Sequence, residues 1–120
     1  MATIDYFERK LDDKNRLSIP AELRTEFKDG YVVTPGFKQY LHLYPKRIWI
    51  NDVEPALQGD ILDEKTADIN VQFRMGKMEG KLDDKQGRLI LEKHLLQYAA
   101  IDKEIIAVRA GKYWRIMKKT

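Results

Sequence analysis

The sequence has 120 residues, 43% of them hydrophobic, with 22 lysines and arginines against 19 aspartates and glutamates for a net charge of +3. That length and apolar content support one packed interior, and no apolar run approaches the roughly 18 to 20 residues of a membrane span. The absence of cysteine excludes a disulfide framework and any thiolate nucleophile or metal site.

The opening Met1-Ala2-Thr3-Ile4-Asp5 has neither the basic region nor the apolar stretch of a secretory signal, so a cytoplasmic protein is expected. Residues 2 to 11 alternate through Ile4, Tyr6 and Phe7 as a first strand, which runs into a polar turn, Asp12 to Arg16. Leu17-Ser18-Ile19 returns as a short strand. Pro20 suits the first position of a helix, where its missing N–H costs nothing, and Leu23 and Phe27 share a buried face until Lys28-Asp29-Gly30 ends that helix. Tyr31 to Thr34 reads as a strand, Pro35-Gly36 as a turn, and Tyr40 to Tyr44 as a strand with Leu41 and Leu43 on one face.

From Lys46 to about Gly76 the pattern is mixed. Lys46 to Ile50 begins a helix that Pro55 limits, and Ile69, Val71, Phe73 and Met75 alternate as a strand does, although a helix through Asp63 to Met75 also buries a stripe. The expectation is a connector with one or two short helices. It is acidic, since residues 51–70 hold six acids against Lys65, whereas residues 103–120 hold six bases against Glu104. A basic end and basic loop tips suit a polyanion, with a solvated surface as the plain alternative.

Lys10-Leu11-Asp12-Asp13-Lys14-Asn15-Arg16-Leu17-Ser18-Ile19-Pro20 comes back as Lys81-Leu82-Asp83-Asp84-Lys85-Gln86-Gly87-Arg88-Leu89-Ile90-Leu91. Aligned on the arginines the offset is 72 residues and Asp12 falls on Asp84, so that both copies read Asp-x-x-x-Arg-Leu. A repeat of this length marks a duplication. It divides the single domain into half repeats of about 1–50 and 76–120, joined by the connector of about 51–75. In the second half Lys77 to Leu82 matches the first strand, Leu89-Ile90-Leu91 the return strand, Glu92 to Ala99 the helix with Leu91, Leu95 and Ala99 inward, and Glu104 to Val108 the next strand. Each motif is expected at a hairpin tip, with both tips on one side of the molecule.

Leu-Asp-x-Lys-x-Arg-Leu-Ser-Ile-Pro-x-x-Leu-Arg resembles the swapped-hairpin DNA-binding fold of the AbrB type. Two copies in one chain, together with Leu41-His42-Leu43-Tyr44-Pro45 followed by Trp49 and Tyr113-Trp114-Arg115-Ile116 near the end, resemble the MraZ family. The resemblance implies a mainly β fold with short helices, an AbrB-like barrel formed by two pseudo-symmetric repeats. It also implies a DNA-binding transcriptional regulator of the bacterial division and cell-wall gene cluster. Such a protein binds repeated sites in promoter double-stranded DNA as a homo-oligomer, in a ring in that family, and is nucleoid-associated within the cytoplasm. An AbrB-type antitoxin that regulates its own promoter is the alternative within this class, and a protein-interaction barrel without DNA binding is the alternative outside it.

Arg16 and Arg88 are the leading DNA-binding candidates, because a guanidinium on a rigid loop forks onto phosphate or onto guanine O6 and N7. Asp12 and Asp84 are the expected positioning acids, and the plain reading is that each simply pins its turn. Lys14 and Lys85 are candidate phosphate contacts, and Lys10, Lys81, Arg24 and the basic tail are further ones. His42, flanked by core leucines, reads as a satisfied histidine rather than a metal ligand. Adjacent carboxylates in Asp12-Asp13 and Asp83-Asp84 point to opposite faces of an extended segment, and Ser18 has no paired base. No enzyme activity, metal, cofactor, membrane association or small-molecule substrate is therefore expected. The aromatic residues Tyr44, Trp49, Tyr113 and Trp114 are expected in the core or at an interface, and Trp49, Ile50, Phe73 and Met75 are the expected contacts for self-association.

Overall fold

The computed structural model describes residues 4–119, so residues 2 and 3 of the expected first strand lie outside the described residues. Strand β1 (Tyr6–Lys10) alternates an exposed Tyr6 with a buried Phe7 and ends at the polar turn, after which β2 (Arg16–Ser18) follows. A 3-10 helix, Ala21–Phe27, buries Leu23 and Phe27. Pro20 stands just before it with an extended ψ of 140°, one position earlier than the first helical turn. Gly30, at φ 118°, turns the chain into β3 (Tyr31–Pro35), which pairs with β4 (Leu41–Pro45).

The connector is more helical than the sequence pattern indicates. It consists of α1 (Lys46–Ile48), a π-helical turn (Trp49–Val53), α2 (Glu54–Gln58) and the long α3 (Glu64–Gly76). Pro55 does not stop the first run, because the wider π turn directly ahead of it accommodates a residue that lacks an N–H and would clash with the carbonyl four residues back. The strand alternative for 69–75 is ruled out by α3, whose start is fixed by Asp63: its side chain accepts from the Lys65 N–H at 3.2 Å and from the Thr66 hydroxyl at 2.7 Å. In that helix Ile69 and Phe73 face inward, whereas Val71 and Met75 are exposed.

The remaining elements are β5 (Met78–Gly80), β6 (Arg88–Ile90), α4 (Lys93–Tyr98), β7 (Glu104–Ala110) and β8 (Tyr113–Lys118). Six strands form one antiparallel sheet in the order β1-β7-β8-β4-β3-β5, and β2 pairs with β6 in a separate two-stranded ribbon. Helices occupy as much of the chain as strands, so the fold is mixed α/β rather than mainly β with short helices. The two outer strands pair across the chain: β1 lies on β7, and β5 lies on β3. Neither β1 and β2 nor β5 and β6 form a hairpin with each other, so the two motifs sit on connections between different sheets rather than at hairpin tips.

Strands β3 and β4 are buried on both faces because they separate two apolar clusters. On one side Val33, Leu41 and Leu43 join Leu17, Ile19, Leu89, Leu91, Leu95 and Trp114 in the main core. On the other, Val32, Tyr44, Trp49, Leu57 and Phe73 pack beneath the connector helices. Fully burying one such side chain is worth about 1.5 to 3 kcal/mol, so the connector is a covering layer and not a loose linker. Trp49 and Phe73, expected on a self-association surface, are 4% exposed and belong to this layer. No helix among the described residues is long and apolar enough to cross a membrane.

Candidate nucleic-acid interface

The first polar turn is closed by the backbone and by one carboxylate. The Asn15 N–H donates to the Asp12 carbonyl at 3.0 Å and the Asp12 N–H to the Arg16 carbonyl at 3.2 Å, with Asn15 in the left-handed region at φ 58°. Asp12 Oδ1 accepts from the backbone N–H groups of Lys14 and Arg16 at 3.0 and 2.8 Å, and Oδ2 accepts from Arg16 Nε at 2.6 Å. Desolvation works to raise the Asp12 pKa, but the hydrogen bonds from Arg16 and Lys14 outweigh it and hold the carboxyl below its usual range.

The second turn repeats this arrangement with one more residue. Asp83 Oδ1 accepts from the N–H groups of Gln86 and Arg88 at 2.9 and 3.3 Å, and Oδ2 from Arg88 Nε at 2.7 Å. The positioning acid of the second copy is therefore Asp83 and not Asp84, which is exposed. The turn's extra residue accounts for the difference. Asp12 and Arg16 are four apart, Asp83 and Arg88 five, and Gly87 takes the φ of 58° that Asn15 takes in the first turn. Hydrogen bonds from Gln86, with those of Arg88, bring the Asp83 pKa down to about 2.

The ribbon brings the two arginines onto one face, with a turn at each end. In the β2–β6 pairing Arg16 lies opposite Ile90, Leu17 opposite Leu89, and Ser18 opposite Arg88. The ladder continues on both sides, with the Leu91 N–H donating to the Asn15 carbonyl and the Ile19 N–H to the Gly87 carbonyl, each at 2.9 Å. Because strand side chains alternate, Leu17 and Leu89 face the core at 0% and 1% exposure while Arg16, Ser18, Arg88 and Ile90 share the outer face. Arg88 Nη1 is also 3.7 Å from Asp12 Oδ2, so the first acid reaches both arginines. Their side chains are 28% and 21% exposed, which makes them braced groups rather than free loop tips.

The other candidates divide. Lys14 and Lys85 are exposed on the turns, and Lys10 and Lys81 are exposed just before them. Arg24 is tied to the fold beside the second turn: its Nε donates to the Ile19 carbonyl at 3.0 Å, and its side chain lies so close over Gly87 that a Cβ there would clash with it. Within the basic tail, Arg109 pairs with Glu26 at 3.0 Å and lies over the Trp114 ring. Lys103, Lys118 and Lys119 line one hollow with Lys10, brought there by the Leu11 N–H to Lys103 carbonyl bond, and Lys28 flanks the second turn beside Lys81. Nothing local in the sequence brings Lys103, Lys118 and Lys119 to Lys10; the pairing of β1 with β7, and of β7 with β8, does.

His42 is 1% exposed, its Nδ1 is 2.8 Å from the Tyr44 hydroxyl, and burial pushes its pKa down to about 4, the state of a satisfied neutral core histidine. His94 donates from Nε2 to the Gly76 carbonyl at 2.9 Å. Among the described residues no group of three or more histidines and carboxylates is arranged to hold a metal ion.

The family model described as "MraZ protein, putative antitoxin-like" matches residues 5–67. The Transcriptional regulator MraZ of Cutibacterium acnes is 35% identical, over 84% of this chain and 70% of its own length. The Transcriptional regulator MraZ of Clostridium acetobutylicum is 34% identical over 88% of this chain and 73% of its own, and that of Mycoplasmopsis pulmonis 32% identical over 92% and 75%. The match to the family model takes in the first turn and β2, and the relatives align across most of the chain, as the resemblance in the repeated motif implies. The chain belongs to the MraZ family.

Proposed function

We propose that this chain is a sequence-specific, DNA-binding transcriptional regulator, and not an enzyme, that lays the outer face of the β2–β6 ribbon and its two flanking turns on double-stranded DNA. The observation that carries this reading is the pair of arginines, 72 residues apart in sequence, that share one ribbon face, each held through Nε by a carboxylate. A carboxylate on Nε fixes the rotamer and leaves the terminal Nη groups as the donor edge for phosphate or guanine. Lys14 and Lys85 on the turns and Lys10 and Lys81 beside them supply phosphate contacts on either side.

The chain is read as two swapped-hairpin repeats, about 1–50 and 76–120, forming an AbrB-like barrel with the connector outside it. The strand order supports this, because exchanging the halves maps β1-β7-β8-β4-β3-β5 onto itself. Its targets are repeated promoter sites of the bacterial division and cell-wall cluster, where the family resemblance directs it. One chain offers few base contacts, so several copies engage adjacent repeats and effective concentration multiplies weak contacts. Exposed apolar groups of the connector, Ile61 and Leu62 at about nine-tenths exposure with Ile50, Val71 and Met75, are the surface for that association. Fluorescence anisotropy with the promoter region of its own gene, across a salt series, tests the reading. Specific binding that weakens steeply with salt is expected, and affinity equal to that for random duplex contradicts it.

A further inference from the structure

The ribbon that carries two identical arginines is chemically lopsided. Arg16 and Arg88 occupy equivalent positions, but two residues further along each strand the first copy has Ser18 and the second Ile90. In the antiparallel register Ile90 lies opposite Arg16 and Ser18 opposite Arg88, so the four side chains form one patch with an arginine at one diagonal pair of corners. Ile90 is 51% exposed there, while Leu89 beside it is buried. A lone exposed isoleucine is ordinary. This one stands between two braced guanidiniums on a strand whose backbone is fixed on both sides, by the pairing with Arg16 and by the Leu91 to Asn15 bond.

We propose that Ile90 is a base-reading residue that contacts thymine 5-methyl groups in the major groove, on one side of the ribbon only. This rests on the reading of the ribbon as the DNA-binding face. A two-stranded ribbon, with strands about 4.8 Å apart, enters a major groove about 12 Å wide. The 5-methyl of thymine is the one apolar group that an unmodified base presents there, and a branched aliphatic side chain is its natural contact. The Ser18 hydroxyl donates or accepts and therefore discriminates less among bases. The consequence is a protein surface with matched arginines that reads an asymmetric site, with thymine preferred on the Ile90 side.

The test uses duplexes selected from a random-sequence pool by the full chain, then resynthesised with deoxyuridine in place of thymidine, which removes only the 5-methyl groups. The wild type is expected to lose about fourfold in affinity per contacted methyl, the worth of one buried carbon. Ile90→Ser is expected to bind the thymine duplex more weakly and to be indifferent to the replacement. Ile90→Val, which keeps a branched apolar side chain, retains the sensitivity and so separates lost contact from lost folding. Ser18→Ile is expected to acquire a second methyl dependence on the opposite half of the site. Equal wild-type affinity for both duplexes, a selected consensus without thymine, or an Ile90→Ser variant that still distinguishes them overturns the assignment while DNA binding stands. Failure to enrich any duplex overturns the DNA-binding reading and the assignment with it.

Discussion

A guanidinium that is to meet DNA must be held in one rotamer while keeping donors to spare, and the two turns do this with one carboxylate each. The energetic worth of these partly exposed pairs to folding is small, because solvent screens them. In the proposed reading their worth to binding is orientation. Asp83→Ala is therefore expected to weaken DNA binding by severalfold with little change in melting temperature, whereas Asp84→Ala leaves affinity unchanged or slightly improved. Anisotropy and a thermal melt on the two variants check this, and equal effects would contradict the assignment of Asp83. The same acids set a pH range: their folded pKa values are depressed, to about 2 for Asp83, so the stability they lend is complete above the unfolded value near 3.9 and is lost as pH falls toward 2. His42 works in the same direction over a higher pH range. With a folded pKa of about 4 against 6.5 unfolded, the unfolded chain binds the proton first, so stability falls as pH drops from 6.5 to 4, by about 3 kcal/mol if the histidine stays buried. His42→Phe should flatten that slope in denaturant titrations across this pH range. The arginines and their partnership with an acid were legible in the repeated motif. Which of two adjacent aspartates does the work in the second copy was not, because a one-residue difference in turn length can be placed on either side of Asp84 when only the arginines anchor the alignment.

At the scale of elements, local signals located most of the strands and short helices, since glycines, prolines and alternating apolar residues mark their ends within a few positions. The connector misled because Ile69, Val71, Phe73 and Met75 satisfy period two while Ile69 and Phe73 also satisfy a helical spacing. The deciding signal was the cap, Asp63 with Thr66, whose two hydrogen bonds settle the chain into α3. Asp63→Ala is expected to cost about 1 kcal/mol, as the loss of an N-cap usually does, and Phe73→Ala about 3 to 5 kcal/mol, since Phe73 is buried beneath that helix. Urea unfolding of both variants checks the ranking; a Phe73→Ala cost below that of Asp63→Ala would mean that the helix layer does not cover the second cluster.

For the whole molecule, the feature that local patterns could not reveal is who pairs with whom. β1 finds β7, β5 finds β3 and β2 finds β6, and each partnership spans more than 40 residues of chain. These long-range pairings gather Arg16 and Arg88 on one ribbon and bring Lys103, Lys118 and Lys119 beside Lys10. They also make the halves interdependent, so neither half repeat has a complete sheet on its own. If copies associate through the exposed connector residues, Leu62→Glu should shift light-scattering mass toward the monomer at tens of micromolar without lowering the melting temperature, and unchanged mass would remove Leu62 from that contact.

The central claim is that Arg16 and Arg88 together form the DNA-binding face. It is tested most directly by anisotropy titrations of wild type, Arg16→Ala, Arg88→Ala and the double variant with a labelled duplex of the chain's own promoter region. Each single change is expected to weaken binding by about 1 to 3 kcal/mol, and by more where several copies bind together, and the double variant should fall to the affinity for random duplex while melting within a few degrees of wild type. Promoter affinity unchanged in the double variant would contradict the account.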